Sequence, residues 1–405
     1  MKSVKGRSFR RYISFASFAF LLVVFICSLA TACFAADIIR VTTLSDDVYG
    51  SLRAAIESAD EYEDVISFDV TGTIMLTKQL SIDHGLTIQG PGADLLAVSG
   101  GGMCRVFYIA AAESVDISGI SIVSGDATAS DYGGGICNAS NKLTVENVTF
   151  TGNSAYWGGG MFNVSNSPTV INCTFTGNSA QYGAGMHNEY AYPTVTSCTF
   201  FENNADYGGG MYSFSSSPTV TNCTFTENSA THGGGMYSFS NSPTVTNCTF
   251  TGNSAQYGAG MYNSFNSPTV TNCIFWNDTW GEIHNDFSTT TLNYCVVQSD
   301  DHDGSTISEY VTSADPALQD LADNGGPTWT CALGEGSSAI DAGTSDGAPN
   351  TDQRGVSRLQ GSGVDIGAFE VEQASSSGGG CSISTFPAIG FLLLMPLMFL
   401  SGTRK

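Results

Sequence analysis

The sequence predicts an all-β fold: a right-handed parallel β-helix of 25-residue coils, with a short N-terminal capping helix and a loop-rich C-terminal cap. Three observations carry this. A glycine tetrad (Gly-Gly-Gly-Ile from Gly133) returns at Gly158, Gly183, Gly208, Gly233 and Gly258, each start 25 residues after the last. Between tetrads runs a nearly constant phrase, such as the Ser-Pro-Thr-Val-Thr-Asn-Cys-Thr-Phe-Thr-Gly-Asn-Ser-Ala of residues 242–255. Finally, the phrase has the period of a strand and no helical period, which excludes ankyrin and tetratricopeptide units. A unit this small cannot bury an apolar face alone, so it must stack on its neighbours.

The export signal comes first. Basic residues from Lys2 to Arg11 lead into an apolar stretch, Tyr12 to Leu29, and small residues follow. Cleavage after Ala35 is expected, making residues 1–35 a signal peptide. A second reading stays open: Leu29-Ala30-Thr31-Ala32-Cys33 loosely resembles a lipoprotein box, although Ala30 stands where a larger aliphatic residue is usual.

Residues 36–132 are read as an N-terminal cap and irregular coils. Ile38 to Thr42 is strand-like. Ser51 is a good helix N-cap, and Leu52, Ala55, Ile56 and Ala59 share one helical face. Covering the first rung keeps it from becoming a sticky edge. The runs Val65–Phe68, Thr73–Leu76, Leu86–Ile88, Val106–Ile109 and Val115–Ile122 have strand composition without the fixed period.

Residues 133–314 are the regular repeats. In Leu143 to Phe150 the apolar residues are 143, 145, 148 and 150, so alternation slips once, at Asn147. A slip in a period-two pattern implies a bend, and Asn tolerates the left-handed backbone a bend needs. The same Asn recurs at Asn172, Asn222, Asn247 and Asn272, with Ser197 the exception. Stacking predicts an amide ladder there, each side chain bonded to the next rung. A second ladder is expected at Asn153, Asn178, Asn203, Asn228 and Asn253. Val170, Cys173, Phe175 and Met161 head the inward columns. The Cys column reads as buried thiols: rungs about 4.8 Å apart lie within disulfide reach, but in-register side chains run parallel, which suits the disulfide dihedral badly. The N-x-[ST] sequons, such as Asn172-Cys173-Thr174, follow from the ladder and need no glycan.

Residues 315–371 form a loop-rich C-terminal cap block, 372–380 a Ser/Gly linker, and 381–405 a tail with Cys381, an apolar run from Phe386 to Leu400 and a basic Arg404-Lys405 end. An uncleaved anchor helix is the plain alternative for that tail, though Pro396 interrupts it and the run is short for a membrane span.

Three parts of the chain resemble known families. The F-x-x-N and G-G-[GA]-[ILM] repeats are similar to those of chlamydial polymorphic outer-membrane proteins, whose passengers are β-helical adhesins; no C-terminal β-barrel pattern accompanies them here. Gly50–Ile56, Leu321–Thr328, Ser338–Gly343, Thr351–Gly355 and Val364–Glu370 resemble the choice-of-anchor Q bacterial surface proteins, β-helical and ending in varied sorting tails. Gly378-Gly379-Gly380-Cys381 with its apolar run and basic end resembles a tripartite sorting signal. That resemblance implies processing at Gly379, Gly380 and Cys381 and attachment to a cell-envelope lipid or glycan.

Charge limits the partners. The chain has a net charge of −23, and seven of its 14 basic residues lie in the two terminal segments, against 37 acidic residues elsewhere. Such a surface argues against nucleic acid and against docking on anionic lipid. Secreted β-helices are often polysaccharide lyases or hydrolases, whose sites need clustered carboxylates and usually a cation. From Gly133 to Phe275 Lys142 is the single Lys or Arg, and Glu146, Glu189, Glu202, Asp206 and Glu227 are dispersed. The largest break in the repetition is Met186-His187-Asn188-Glu189, where His187 and Glu189 fall on one strand face. His232 replaces the aromatic residue found at Tyr132, Trp157, Tyr182, Tyr207 and Tyr257. That column either meets sugar rings or partners, if exposed, or packs against the Gly turns. Asp300 to Asp303 hints at a Ca²⁺ loop, with Thr312 where an EF-hand places its bidentate Glu. Asp341, Asp352, Arg354, Asp365 and Glu370 read as a structural network. No catalytic, metal or cofactor residue is assigned. The expectation is a non-catalytic, cell-surface-anchored adhesin or envelope-interaction protein that meets a host-surface protein or polysaccharide; the alternative is a secreted β-helical lyase or hydrolase.

Overall fold

In a computed structural model, which describes residues 37–59, 64–128, 132–240, 242–298 and 304–373, the chain winds into a parallel β-helix. The signal segment with Cys33 and Ala35, the Asp300–Asp303 loop and the tail with Gly379, Gly380 and Cys381 lie outside the described residues. Among the described residues no helix is long and apolar enough to cross a membrane.

Each coil has three strands. In the coil beginning at Thr169 these are Thr169–Ile171, Thr174–Thr176 and Met186–Glu189. In the regular coils each strand pairs in parallel with its counterpart 25 residues on, as Val170 with Val195, Phe175 with Phe200 and Met186 with Met211. This makes three rows of strands. The first two merge at Thr291–Val297, which pairs with both Thr269–Thr271 and Ile274–Trp276, and the third holds nine strands from Leu80–Ile82 to Ile283–Asp286.

At the N-terminal end, helix α1 (Leu52–Ser58) packs beside Ile38–Val41 and Asp64–Phe68. Ser51 Oγ accepts from the Ala54 N–H at 3.2 Å, the expected cap. Leu52, Ala55 and Ile56 are buried as anticipated. Arg53 is buried too, held by both carboxylate oxygens of Asp46 (2.9 and 3.0 Å) and by the Lys78 and Gln79 carbonyls.

The predicted inward columns all form. Val170, Cys173, Phe175 and Met186 and their equivalents are fully buried. The Phe rings from Phe150 to Phe275 stack with centroids 4.5–4.7 Å apart and nearly parallel, so the ring spacing follows the rung spacing. The Cys column holds free thiols and extends to Cys295. Each Sγ bonds to the carbonyl two residues earlier, and the Cys198 Sγ accepts from the Cys173 N–H at 3.4 Å. Burial raises the Cys198, Cys248 and Cys295 thiols, keeping them protonated. The glycine tetrad has a steric cause: a Cβ on Gly185 would stand 2.4 Å from the Gly210 carbonyl oxygen and 2.8 Å from the Phe200 ring. The second tetrad position accepts Ala, as at Ala184 and Ala259.

The bend residues adopt the left-handed backbone, with φ from 49° to 54° at Asn147, Asn172, Ser197, Asn222, Asn247 and Asn272. Their side chains do not form the expected ladder. Asn272 reaches Asn247 at 3.3 Å, but the main partners come from the C-terminal block, which runs back along this corner. Asn222 Nδ2 donates to the Thr351 carbonyl at 2.7 Å, Asn247 Nδ2 to the Asp365 and Gly367 carbonyls, and Asn272 Nδ2 to the Thr344 carbonyl at 2.8 Å. At Ser197, which has no amide, the backbone carbonyl accepts from Thr328 Oγ1. An outward-pointing amide at a bend faces whatever covers the corner, and here that is another part of the chain.

Candidate functional site

The second Asn ladder forms as predicted and shows why it ends where it does. Asn153, Asn178, Asn203 and Asn228 each donate from Nδ2 to Oδ1 of the Asn 25 residues on, at 2.9–3.0 Å, and Oδ1 also accepts that previous coil's backbone N–H. Each Nδ2 makes a further bond to a carbonyl, as Asn178 to Phe150. The last acceptor is Asp278, whose Oδ1 takes both the N–H and the Nδ2 of Asn253. The amide dipoles point their NH₂ ends toward this carboxylate, a favourable end for a negative charge. Asp278 is also bonded to Glu282, itself 3% exposed. Burial pushes the Asp278 carboxyl up to about 7, against the pull of its bonds to Glu282 and Asn253. No signal in the repeat announced this pair, because Glu282 lies past the last full coil.

A third amide column, absent from the sequence reading, lines the third row: Asn138 to Asn163 at 3.0 Å and Asn163 to Asn188 at 2.9 Å, fully buried.

The C-terminal acids do form a structural network. Arg354 Nε bonds Asp352 Oδ2 at 2.9 Å and its guanidinium lies 3.6 Å from the Phe369 ring centroid. Asp365 accepts from the Asp341 and Val371 N–H groups, and its burial raises the carboxyl to about 6. The central residue is one the sequence reading did not single out, Arg358. It is 7% exposed and bonds Glu370 Oε2 (3.1 Å), the Asp365 and Gly367 carbonyls, and Asn222 Oδ1 (2.8 Å).

The outward side of the third row carries two aromatic columns. The nearer one is Phe162, His187, Tyr212, Tyr237, Tyr262 and His284, placed by strand alternation next to the inward Met column. Over it lies the column read from the sequence: Tyr132, Trp157, Tyr182, Tyr207, His232 and Tyr257. Its rings stack on each other, as Tyr182 with Tyr207 at 5.0 Å and 8°. His232 fills its place between Tyr207 and Tyr257 at 5.1 and 5.2 Å. The two columns meet edge to face, as Tyr207 with Tyr237 at 86°. Along most of this face the ring faces are therefore covered by their neighbours and the edges meet solvent, so a sugar ring finds no open platform there.

The stack opens in one place. Trp157 and Tyr182 stand 6.4 Å apart, and below them His187 occupies a position that is Tyr in the three following coils. A cavity of about 300 Å³ results, walled by Tyr132, Tyr156, Trp157, Tyr182, Tyr212 and Phe214, with His187 and Glu189 in its lining. The expected pairing of His187 and Glu189 on one face is thus realised. His187 is 3% exposed, lies between the Phe162 and Tyr212 rings (5.1 and 4.9 Å), and has Nδ1 3.4 Å from the Tyr182 carbonyl. Desolvation drops its pKa to about 3, so the ring is neutral at ordinary pH. Among the described residues no group of three or more His, Cys, Asp or Glu is placed to hold a metal ion.

The family described as "right handed beta helix region" matches residues 134–307. No curated protein sequence matches the chain. Among solved structures the chain is similar to a pectate lyase, Pel9A, at 13% identity and a TM-score of 0.44, covering 82% of this chain and 96% of that one. It is also similar to an alginate lyase in complex with a trisaccharide, at 11% identity and a TM-score of 0.43, covering 75% of this chain and 64% of that one. With the family match lying over the regular coils and every coil pairing in parallel with the next, the chain is a right-handed parallel β-helix.

Proposed function

We propose that this protein is a non-catalytic β-helix of the cell surface, exported by its N-terminal segment and held at the envelope through the Gly379-Gly380-Cys381 tail, where it acts as an adhesin or envelope-interaction protein. The observation that carries this reading is the outward face of the third row. From Tyr132 to Tyr257 every coil offers an aromatic edge at the same position, a surface suited to extended contact. The acids that the fold gathers are committed elsewhere: Asp278 with Glu282, and Asp352, Asp365 and Glu370, are buried in structural bonds.

The test is a panel of acidic and neutral polysaccharides, read both for binding and for released reducing ends or unsaturated products. No released reducing end or unsaturated product is expected from any of them. Product formation that disappears in a His187→Ala, Glu189→Gln double variant would overturn the reading in favour of a lyase or hydrolase. Surface labelling of intact cells and mass spectrometry of the mature C-terminus test the anchor; a protein still ending at Lys405 would refute tail processing.

A further inference from the structure

We propose that the cavity over His187 binds a quaternary ammonium group. The inference goes beyond the surface role above, since the cavity is present whether or not the protein is anchored or adhesive.

The walls decide the chemistry. Tyr156, Trp157, Tyr182 and Tyr212 surround the space, and they meet at steep angles: 72° between Tyr156 and Trp157, 69° between Tyr182 and Tyr212. Rings set this way around a gap form a cage; in the following coils the columns also meet edge to face, but the upper rings close to 5.0–5.2 Å, against 6.4 Å between Trp157 and Tyr182. An aromatic cage attracts a cation through the negative ring faces, and most strongly when the cation leaves water. The one charged side chain in the lining is Glu189. No described residue is hydrogen-bonded or ion-paired to its carboxylate, so it is available to a ligand. His187, which would repel a cation if protonated, is held neutral by burial. Asp206 and Glu189 add negative potential at Tyr182 and Tyr212.

The repeat supplies a control. Tyr212, Tyr237 and Tyr262 fill the position equivalent to His187, and there each phenol packs under the upper column. The smaller imidazole leaves the cavity. A quaternary head group suits it better than a primary ammonium. The latter brings three N–H donors and strong hydration, and the lining offers a single carboxylate, Glu189, to receive them.

The test is calorimetric titration of the purified protein with three probes: choline, its uncharged isostere 3,3-dimethyl-1-butanol, and Nα-acetyl-lysinamide. Choline is expected to bind saturably, with the isostere weaker by about tenfold or more. Glu189→Gln should weaken choline several-fold and leave the isostere unchanged. His187→Tyr places in this coil the residue that three neighbours carry, so it should keep the thermal transition and abolish choline binding. Absence of saturable choline binding, equal binding of the isostere, tighter binding of the lysine amide, or full choline binding by a folded His187→Tyr variant would each overturn the proposal.

Discussion

Two corners of this solenoid carry asparagine at the same 25-residue spacing, and the fold uses them in opposite ways. At the turn after the Phe strand, Asn153 to Asn253 are buried and spend their amides on one another and on the solenoid's own carbonyls. At the bend between the first two strands, Asn172, Asn222, Asn247 and Asn272 are selected by backbone: they supply positive φ. Their amides are left over, and from Asn222 onward the C-terminal block takes them. One column holds the coils to each other, and the other holds a foreign segment to the coils. Periodic recurrence of a residue thus identifies a position in the coil without identifying its partner.

The sharpest way to break the second corner is Arg358→Ala. It leaves Glu370, 1% exposed, without its cation and strips Asn222 of a donor. A loss of about 3–5 kcal/mol is expected in chemical denaturation. Hydrogen exchange should quicken in the block, residues 315–371, before it quickens in the coils.

Asn203→Ala and Asn222→Ala form a matched pair across the two corners. The first cuts a buried ladder, taking the acceptor from the Asn178 N–H and one bond each from Asn178 Nδ2 and the Phe175 carbonyl, at a cost on the order of 3 kcal/mol. The second removes two bonds to the block, from Asn222 Nδ2 to the Thr351 carbonyl and from Arg358 to Asn222 Oδ1, and should cost about 2 kcal/mol. Equal losses in thermal or urea unfolding would erase the distinction drawn here.

Asp278→Asn sharpens the ladder's end. The carboxyl is raised to about 7 in the folded chain from an ordinary 3.8, so the native state holds a proton that the unfolded state releases. Stability from this group is therefore present below pH 4 and lost as pH rises toward 7. The amide keeps an acceptor for Asn253 and can donate to Glu282. It should stabilise by about 4 kcal/mol at pH 8 and by little near pH 4, measured as unfolding free energy against pH.

The smallest effect belongs to His187. Its folded pKa of about 3 lies below the ordinary 6.5, so the unfolded chain takes up the proton first. Stability then falls as pH drops below 6.5, by about 1–2 kcal/mol between pH 7 and pH 5. His187→Tyr should flatten that segment of the profile; an unchanged slope would place the titration elsewhere.

Much of this was legible beforehand. The alternation, the slip at Asn147 and the tetrads describe a coil whose partners are its own copies, and a repeat states its partners by repeating. Val170, Cys173, Phe175 and Asn178 were read correctly for that reason. Another left-handed position in each coil went unseen, because Ser165, Tyr190, Ser215, Ser240 and Phe265 hold φ between 47° and 54° with no Asn or Gly to mark them. There the inter-coil hydrogen bonds impose a backbone that the residue types do not request. The docking corner was misread because its partners lie far along the chain, Asn222 and Arg358 being 136 residues apart. The cavity was half legible: His187 and Glu189 stood out as departures, but the gap arises from the relation of one imidazole to the phenols of other coils.

The backward course of the C-terminal block has a consequence for the length of the molecule. Interchangeable coils carry no record of their own number, and a repeat array of this kind can grow or shrink by whole units in its gene. Between Ser197 and Asn272 the block touches successive bends with different residues, Thr328, Thr351, Asp365 and Thr344, so it works as a ruler laid against the coils. Losing or gaining one unit inside that interval sets the marks against the wrong rungs. Units between Gly133 and the Ser197 bend lie outside the ruler's span, and length variation is expected to concentrate there.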